Sequence, residues 1–250
     1  MNVATKILKL IITVFILSLL FSCSDPVEYT DDTGDSGSST TTTGLLRFIH
    51  AASSTDNFVL DYRDLDTDSY EAFLNSPKYG FQYGYYNFRT GEREFAAFEA
   101  NTSIKIAQTN FDLDEDKKYS IIAYDYDATI NPGFLVLEDT LSTPDSIHSF
   151  VRFLHVASDV GTIEIEGLDQ VLVELGHNNS SKYFTVSSNT YFLIVRLQPS
   201  DQTLLNQIPA TFIPGVSYTV ILSGSIDGMT PVDFNMKILR DASIKYITVD

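Results

Sequence analysis

Arg47-Phe48-Ile49-His50-Ala51-Ala52-Ser53 returns 105 residues later as Arg152-Phe153-Leu154-His155-Val156-Ala157-Ser158. An echo at that spacing divides the folded part of the chain into two copies of one module, expected at residues 45–147 and 148–250. Each copy is about 100 residues long, which suffices for one independent core. Tyr119-Ser120-Ile121-Ile122-Ala123 and Tyr218-Thr219-Val220-Ile221-Leu222 mark a second shared position.

No window shows a sustained 3.6-residue apolar period, whereas short runs rich in β-branched and aromatic residues recur between turn signals. Strands are expected at 46–51, 58–62, 81–88, 94–98, 103–109, 118–126 and 133–140 in the first copy. The second answers with 151–156, 162–166, 171–175, 182–186, 191–197, 217–223 and 233–239. The fold class this predicts is all-β: two tandem immunoglobulin-like antiparallel β-sandwich modules of seven strands each. Pro209 argues against a central strand over 203–212.

The N-terminus gives an address. Lys6 and Lys9 precede an apolar run of 12 residues from Leu10 to Phe21, followed by Ser22 and the only cysteine, Cys23. A helix needs about 20 residues to cross a bilayer, so residues 1–22 are expected to be a cleaved signal peptide. The junction Leu20-Phe21-Ser22-Cys23 resembles the bacterial lipobox, in which the cysteine is acylated and becomes the new N-terminus. One acyl chain holds a protein only marginally, at roughly 0.8 kcal/mol per buried CH₂, and two anchor it stably. With Cys23 lipidated, no thiol remains for disulfides, metal-thiolate sites or cysteine catalysis. Residues 23–44 then form an acidic, Ser/Thr-rich disordered tether reaching on the order of 25 Å. Ser24 lacks the acidic character that retains enteric lipoproteins at the inner membrane, which points to the outer membrane.

Cleavage would remove two lysines, taking 16 basic residues to 14 against 33 acidic ones, a net charge of −19. Nucleic acid is thereby excluded as a partner, because phosphate binding needs clustered Lys and Arg. Residues 45–147 hold 18 acids and 8 bases, residues 148–250 hold 10 and 6, so the first module is the more acidic.

The Arg-apolar-apolar-His-Ala-Ser opening, the short strand Ile163-Glu164-Ile165-Glu166, the Leu175-Gly176 step and the late Tyr-Thr-Val strand resemble the family known as domain of unknown function 4397, over residues 45 to about 142 and 150 to about 241. The resemblance implies a β-sandwich module of exported bacterial proteins, often in tandem on surface-anchored chains. It implies no activity and no catalytic residue.

Three constellations carry chemistry worth weighing. His50 and His155 precede Ser53 and Ser158, with Asp56 and Asp159 close by. A hydrolase would need His and Ser together, yet residues three apart on a strand face opposite sides, and no Gly-x-Ser-x-Gly elbow exists. The histidines are therefore expected to bond backbone or a carboxylate at the strand end, and Arg47 and Arg152 to lie on the sheet surface paired with an acid on the next strand.

The second constellation is an apparent insertion. Setting Gly84 opposite Gly176 leaves 13 extra residues in the first module, including Asp64, Asp66, Asp68, Tyr70, Glu71 and Phe73. Loops on rigid scaffolds carry recognition, so this is the expected interaction loop. The carboxylates lack the sixth-place glycine and twelfth-place glutamate of an EF-hand loop, and no metal is expected here, at the cluster Asp112, Asp114, Glu115 and Asp116, or at Asp125 and Asp127. The third is Phe81-Gln82-Tyr83-Gly84-Tyr85-Tyr86-Asn87-Phe88, whose alternation sends Phe81, Tyr83 and Tyr85 to one face and Tyr86 and Phe88 to the other.

The expected function is that of a non-enzymatic, cofactor-free, lipid-anchored envelope protein: an adhesion, spacer or scaffold element attached to the membrane through Cys23, meeting an envelope or extracellular protein or glycan. The alternative is a binding module for a small ligand or glycan using the loops of the first module.

Overall fold

In the computed structural model every element is a β-strand among the described residues, which are 42–55, 58–126, 132–140, 144–169, 171–228 and 230–241. The first sandwich contains β1 (Thr43–His50), β2 (Phe58–Asp64), β3 (Glu71–Asn75), β4 (Gln82–Arg89), β5 (Gly91–Glu99), β6 (Lys105–Leu113), β7 (Lys118–Asp125) and β8 (Pro132–Glu138). The second contains β9 (His148–His155), β10 (Ile163–Leu168), β11 (Val171–Leu175), β12 (Asn179–Ser180), β13 (Phe184–Ser187), β14 (Thr190–Leu197), β15 (Gln202–Thr211), β16 (Ser217–Ser223) and β17 (Asn235–Asp241). Cys23, the signal segment and most of the expected tether lie outside the described residues.

Each sandwich has an inner and an outer sheet. The inner sheets run β4-β1-β7-β8 and β12-β9-β16-β17, with β13 also on β9; the outer sheets run β3-β2-β5-β6 and β11-β10-β14-β15. The two orders match strand for strand, β12 and β13 together taking the place of β4. Pairing between the named strands is antiparallel with one exception in each sandwich: β1 runs parallel to β7, and β9 to β16.

Burial explains the composition of these central strands. β16 is buried at every residue and β7 at all but its first. A strand covered on both faces reads as a continuous apolar run, as Ile121-Ile122-Ala123 and Val220-Ile221-Leu222 do. On β1 successive side chains part company: Leu46 and Phe48 enter the core of their own sandwich with Phe58, Leu60 and Phe95. Ile49 and Ala51 point the other way and join Ile122, Tyr124, Leu154, Val156 and Ile221 in a third cluster between the inner sheets. The four sheets are thus stacked, with an apolar core inside each sandwich and a third apolar cluster between the inner sheets.

Two expectations need correction. The presumed insertion contains β3, which pairs with β2 through Val59–Asn75 and Tyr62–Glu71. Gly84 is not the counterpart of Gly176: Gly80 and Asn178 are the matching positions, each at positive φ (79° and 59°) with its N–H donated to the carbonyl of the strand-ending histidine, at 2.7 Å to His50 and 2.8 Å to His155. The two hairpins therefore differ in the length between their strands, six residues from β2 to β3 against two from β10 to β11. The strand at 202–211 was not among those expected, and it lies at the edge of its sheet, where a residue without an N–H is tolerated, in keeping with Pro209 arguing against a central strand.

Candidate functional site

The echoed arginines are not on a surface. Arg47 and Arg152 are 1% and 2% exposed, at the joint between the inner sheets, which corrects the expectation of a surface pair. Arg47 Nε donates to Ser120 Oγ at 2.6 Å and Nη1 to Asp241 Oδ1 at 2.6 Å, in the other sandwich. Arg152 Nε donates to Thr219 Oγ1 at 3.0 Å, and Nη2 lies 2.5 Å from Asp139 Oδ1, again across the joint. Tyr85 donates to Asp139 at 2.6 Å and Tyr183 to Asp241 at 2.7 Å. Each guanidinium also lies over its own sandwich's tyrosine, Arg47 at 5.3 Å from the Tyr85 ring and Arg152 at 4.7 Å from that of Tyr183.

The electrostatics of this cluster close on themselves, two cations against two carboxylates. Burial alone would lower the pKa of Arg47, but Asp139 and Asp241 outweigh it and hold the group above the ordinary arginine value. Burial raises Tyr85 and Tyr183 well beyond the usual phenol range, so both remain donors at any physiological pH. Ser120 and Thr219 lie at the second shared position and Tyr85 in the aromatic run, whereas Asp139, Asp241 and Tyr183 were not singled out in the sequence; Leu137-Glu138-Asp139 and Leu239-Arg240-Asp241 are the local echo that marks the two acids.

The other motif residues are also occupied within the fold. His50 Nε2 lies 3.0 Å from the carbonyl of Thr55, and His155 Nε2 lies 3.1 and 2.8 Å from those of Val160 and Gly161. A carbonyl only accepts, so Nε2 carries the proton and each ring pins the loop after its strand. Burial pushes the His155 pKa below its ordinary value, keeping the ring neutral. Ser53 donates both its N–H and hydroxyl to Asp125 at 2.9 Å, not to His50. In the second sandwich the carboxylate has changed sides: Gly224 stands where Asp125 would be, and Asp159, next to Ser158, accepts from the Ser225 hydroxyl at 2.7 Å and the Ile226 N–H at 2.8 Å. Asp56 and Asp127 lie outside the described residues.

The expected interaction loop divides into ordered and exposed parts. Phe73, on β3, packs edge-on against Tyr86 and Phe88 and belongs to the core. Glu71 accepts from Tyr62 at 2.5 Å. Tyr70 folds over the outer sheet against Phe98, with Arg63 and Lys105 about its ring. Beneath it Glu94 is buried, accepting from Tyr70, from Lys105 at 2.5 Å and from Arg63 at 2.8 Å. Burial would raise the Glu94 pKa, but these three donors bring it down to about 2.

Asp66 and Asp68 remain exposed at the tip. Asp64 lies 3.0 Å from Arg93 and 3.5 Å from Arg89. Asp64, Leu65, Asp66, Arg89, Gly91 and Arg93 line a recess of about 370 Å³ between the tip and the β4–β5 turn. No group of three or more metal-ligating side chains comes together among the described residues. In the other acidic cluster, Asp114 pairs with Lys117 at 2.7 Å. The aromatic run departs from strict alternation, because a bulge between the Leu46–Tyr86 and Phe48–Tyr83 pairs sets two residues of β4 against one of β1. Tyr83, Tyr86 and Phe88 consequently share the core face, Tyr85 turns to the joint, and Phe81 is exposed.

Fold and joint together define a protein of two stacked β-sandwiches locked through a buried ionic cluster. Residues 44–166 match the family described as Domain of unknown function (DUF4397), a span that holds Arg47, Asp139 and Arg152 and supports the family resemblance. No curated protein matches the chain. Among solved structures, the chain is similar to the Bacillus anthracis TIE protein at 7% identity, covering 74% of this chain and 34% of that one with a TM-score of 0.24. It is also similar to a leucine-rich repeat protein from Bacteroides thetaiotaomicron (9% identity, 74% and 26% covered, TM-score 0.21). A third is a family 26 carbohydrate-binding module from Eubacterium rectale, solved with maltoheptaose (11% identity, 79% and 97% covered, TM-score 0.25). The chain spans about a third of the first of these and about a quarter of the second.

Proposed function

We propose that this is a lipid-anchored, non-catalytic protein of the bacterial cell envelope, at the outer membrane, whose two sandwiches are copies of one module at 45–147 and 148–250 and act as an adhesion, spacer or scaffold element. The observation that carries this reading is the use of the repeated Arg, His and Ser side chains: Arg47, Arg152, His50, His155 and Ser53 are all spent on holding strands, loops and sandwiches together. The address rests on Leu20-Phe21-Ser22-Cys23 and the acidic stretch after it. Cys23→Ala should move the protein from the membrane to the soluble fraction, and radiolabelled palmitate should enter only the wild type. Palmitate absent from the wild type would rule the anchor out.

A second reading is favoured by the recess at Asp64, Arg89 and Arg93: the first sandwich binds a small ligand or glycan there. Replacing residues 65–69 with Asn-Gly should leave both sandwiches folded and abolish binding in a glycan array. Undiminished binding after that replacement would move the search to the β14–β15 turn, residues 198–201.

A further inference from the structure

The joint has the composition of a contact between two identical bodies. Arg47 reaches Asp241 while Arg152 reaches Asp139, at 2.6 and 2.5 Å. Each Nε stays at home, on Ser120 or Thr219, and each Nη2 crosses to the hydroxyl of the other sandwich at 3.3 Å in both directions. The apolar half obeys the same rule, with Ile49 and Leu154, Ala51 and Val156, and Ile122 and Ile221 at matching positions in one shared cluster. Such reciprocity is the signature of an isologous, two-fold contact. A face built this way is complementary to its sister wherever the sister is, in its own chain or in another.

We propose that the inner face is a self-recognition surface whose second partner is another copy of this chain: two chains exchange sandwiches, the first of each docking on the second of the other, with both joints re-formed. The exchange changes no contact at the joint and affects only the connection between Asp139 and His148. That connection is eight residues long, so it presents the sister at an effective concentration in the millimolar range and keeps dilute chains closed. Crowding many chains on one surface raises the competing concentration and favours exchange.

Charge reversal in complementary places tests this on the full chain carrying Cys23→Ala. One variant has Arg47→Asp, which sets a carboxylate against its own Asp241; the other has Asp241→Arg, which sets a cation against its own Arg47. Neither can close alone, but together they satisfy one reversed joint and one native joint. Mixed, they should form a 1:1 dimer of twice the monomer mass by light scattering, with an unfolding midpoint returned close to the wild type. A mixture that runs as two monomers with unchanged midpoints overturns the proposal. Should either variant fail to fold alone, refolding the two together decides: recovery of the soluble dimer supports exchange, and failure of mutual rescue overturns it.

Discussion

The joint between the sandwiches and the β2–β3 hairpin both pair arginines with aspartates, and the same chemistry has different consequences in the two places. At the joint, the side chains of Arg47, Asp139 and Asp241 are at most 1% exposed, so breaking one pair strands a charge away from water. At the hairpin, Arg89 and Asp64 are 59% and 30% exposed, and water substitutes for either partner. Burial, not residue type, therefore decides which ion pairs hold this molecule together.

The contrast is broken or sharpened by four measurements. Arg47→Ala should lower the unfolding free energy in urea by about 3–5 kcal/mol, since Asp139 and Asp241 would share one arginine. Arg89→Ala should cost less than about 1 kcal/mol, and equal losses at the two sites would erase the distinction. Next comes acid. Glu94 has an ordinary value of 4.5 and a folded value of about 2, so its contribution is complete above pH 4.5 and is lost as pH falls toward 2. That loss should amount to about 3 kcal/mol and be missing from Glu94→Gln; an identical acid limb in the variant would assign it to other groups.

Smaller still is the coupling across the joint. Arg47→Ala and Arg152→Ala combined should depart from additivity by about 1–3 kcal/mol, because both arginines address Asp139 and Ser120. Strict additivity would mean that each arginine serves only its own sandwich. Least of all, exchanging residues 65–69 for Asn-Gly should change stability by under about 1 kcal/mol, because tip length enters closure entropy only logarithmically. A larger loss would show that Tyr70, which depends on the tip, is a structural cover for Glu94.

Most strands were legible because they alternate or run apolar between turns; those that were missed share a physical cause. Glu71-Ala72-Phe73-Leu74-Asn75 is only five residues long, beside a run of acids, and its pairing with β2 is what makes it a strand. The strand at 202–211 was missed because Pro209 speaks against a central strand and a sequence does not show which strand lies at an edge. The buried place of Arg47 depends on the other half of the chain, and no local pattern contains it. A trace existed nonetheless: Ile121-Ile122-Ala123 and Val220-Ile221-Leu222 are apolar on both faces, which requires a sheet on either side. Asp139 follows Tyr119 by 20 residues and Asp241 follows Tyr218 by 23, so unequal loops hid the equivalence of the two acids.

The parallel pairing of β1 with β7 sorts the loops of the first sandwich onto two ends. Leu45 lies beside Lys118 and Tyr119 opposite Glu138, so the chain enters the first inner sheet and leaves it at the same end. The hairpin recess is at that end too, since Thr90 bonds Thr42 at 3.0 Å. The loops after His50 and His155 are at the other. The recess and those loops therefore lie at opposite ends of the first inner sheet. A ligand small enough to fill the recess does not reach residues 51–55 and 156–162, so the two ends can be occupied independently.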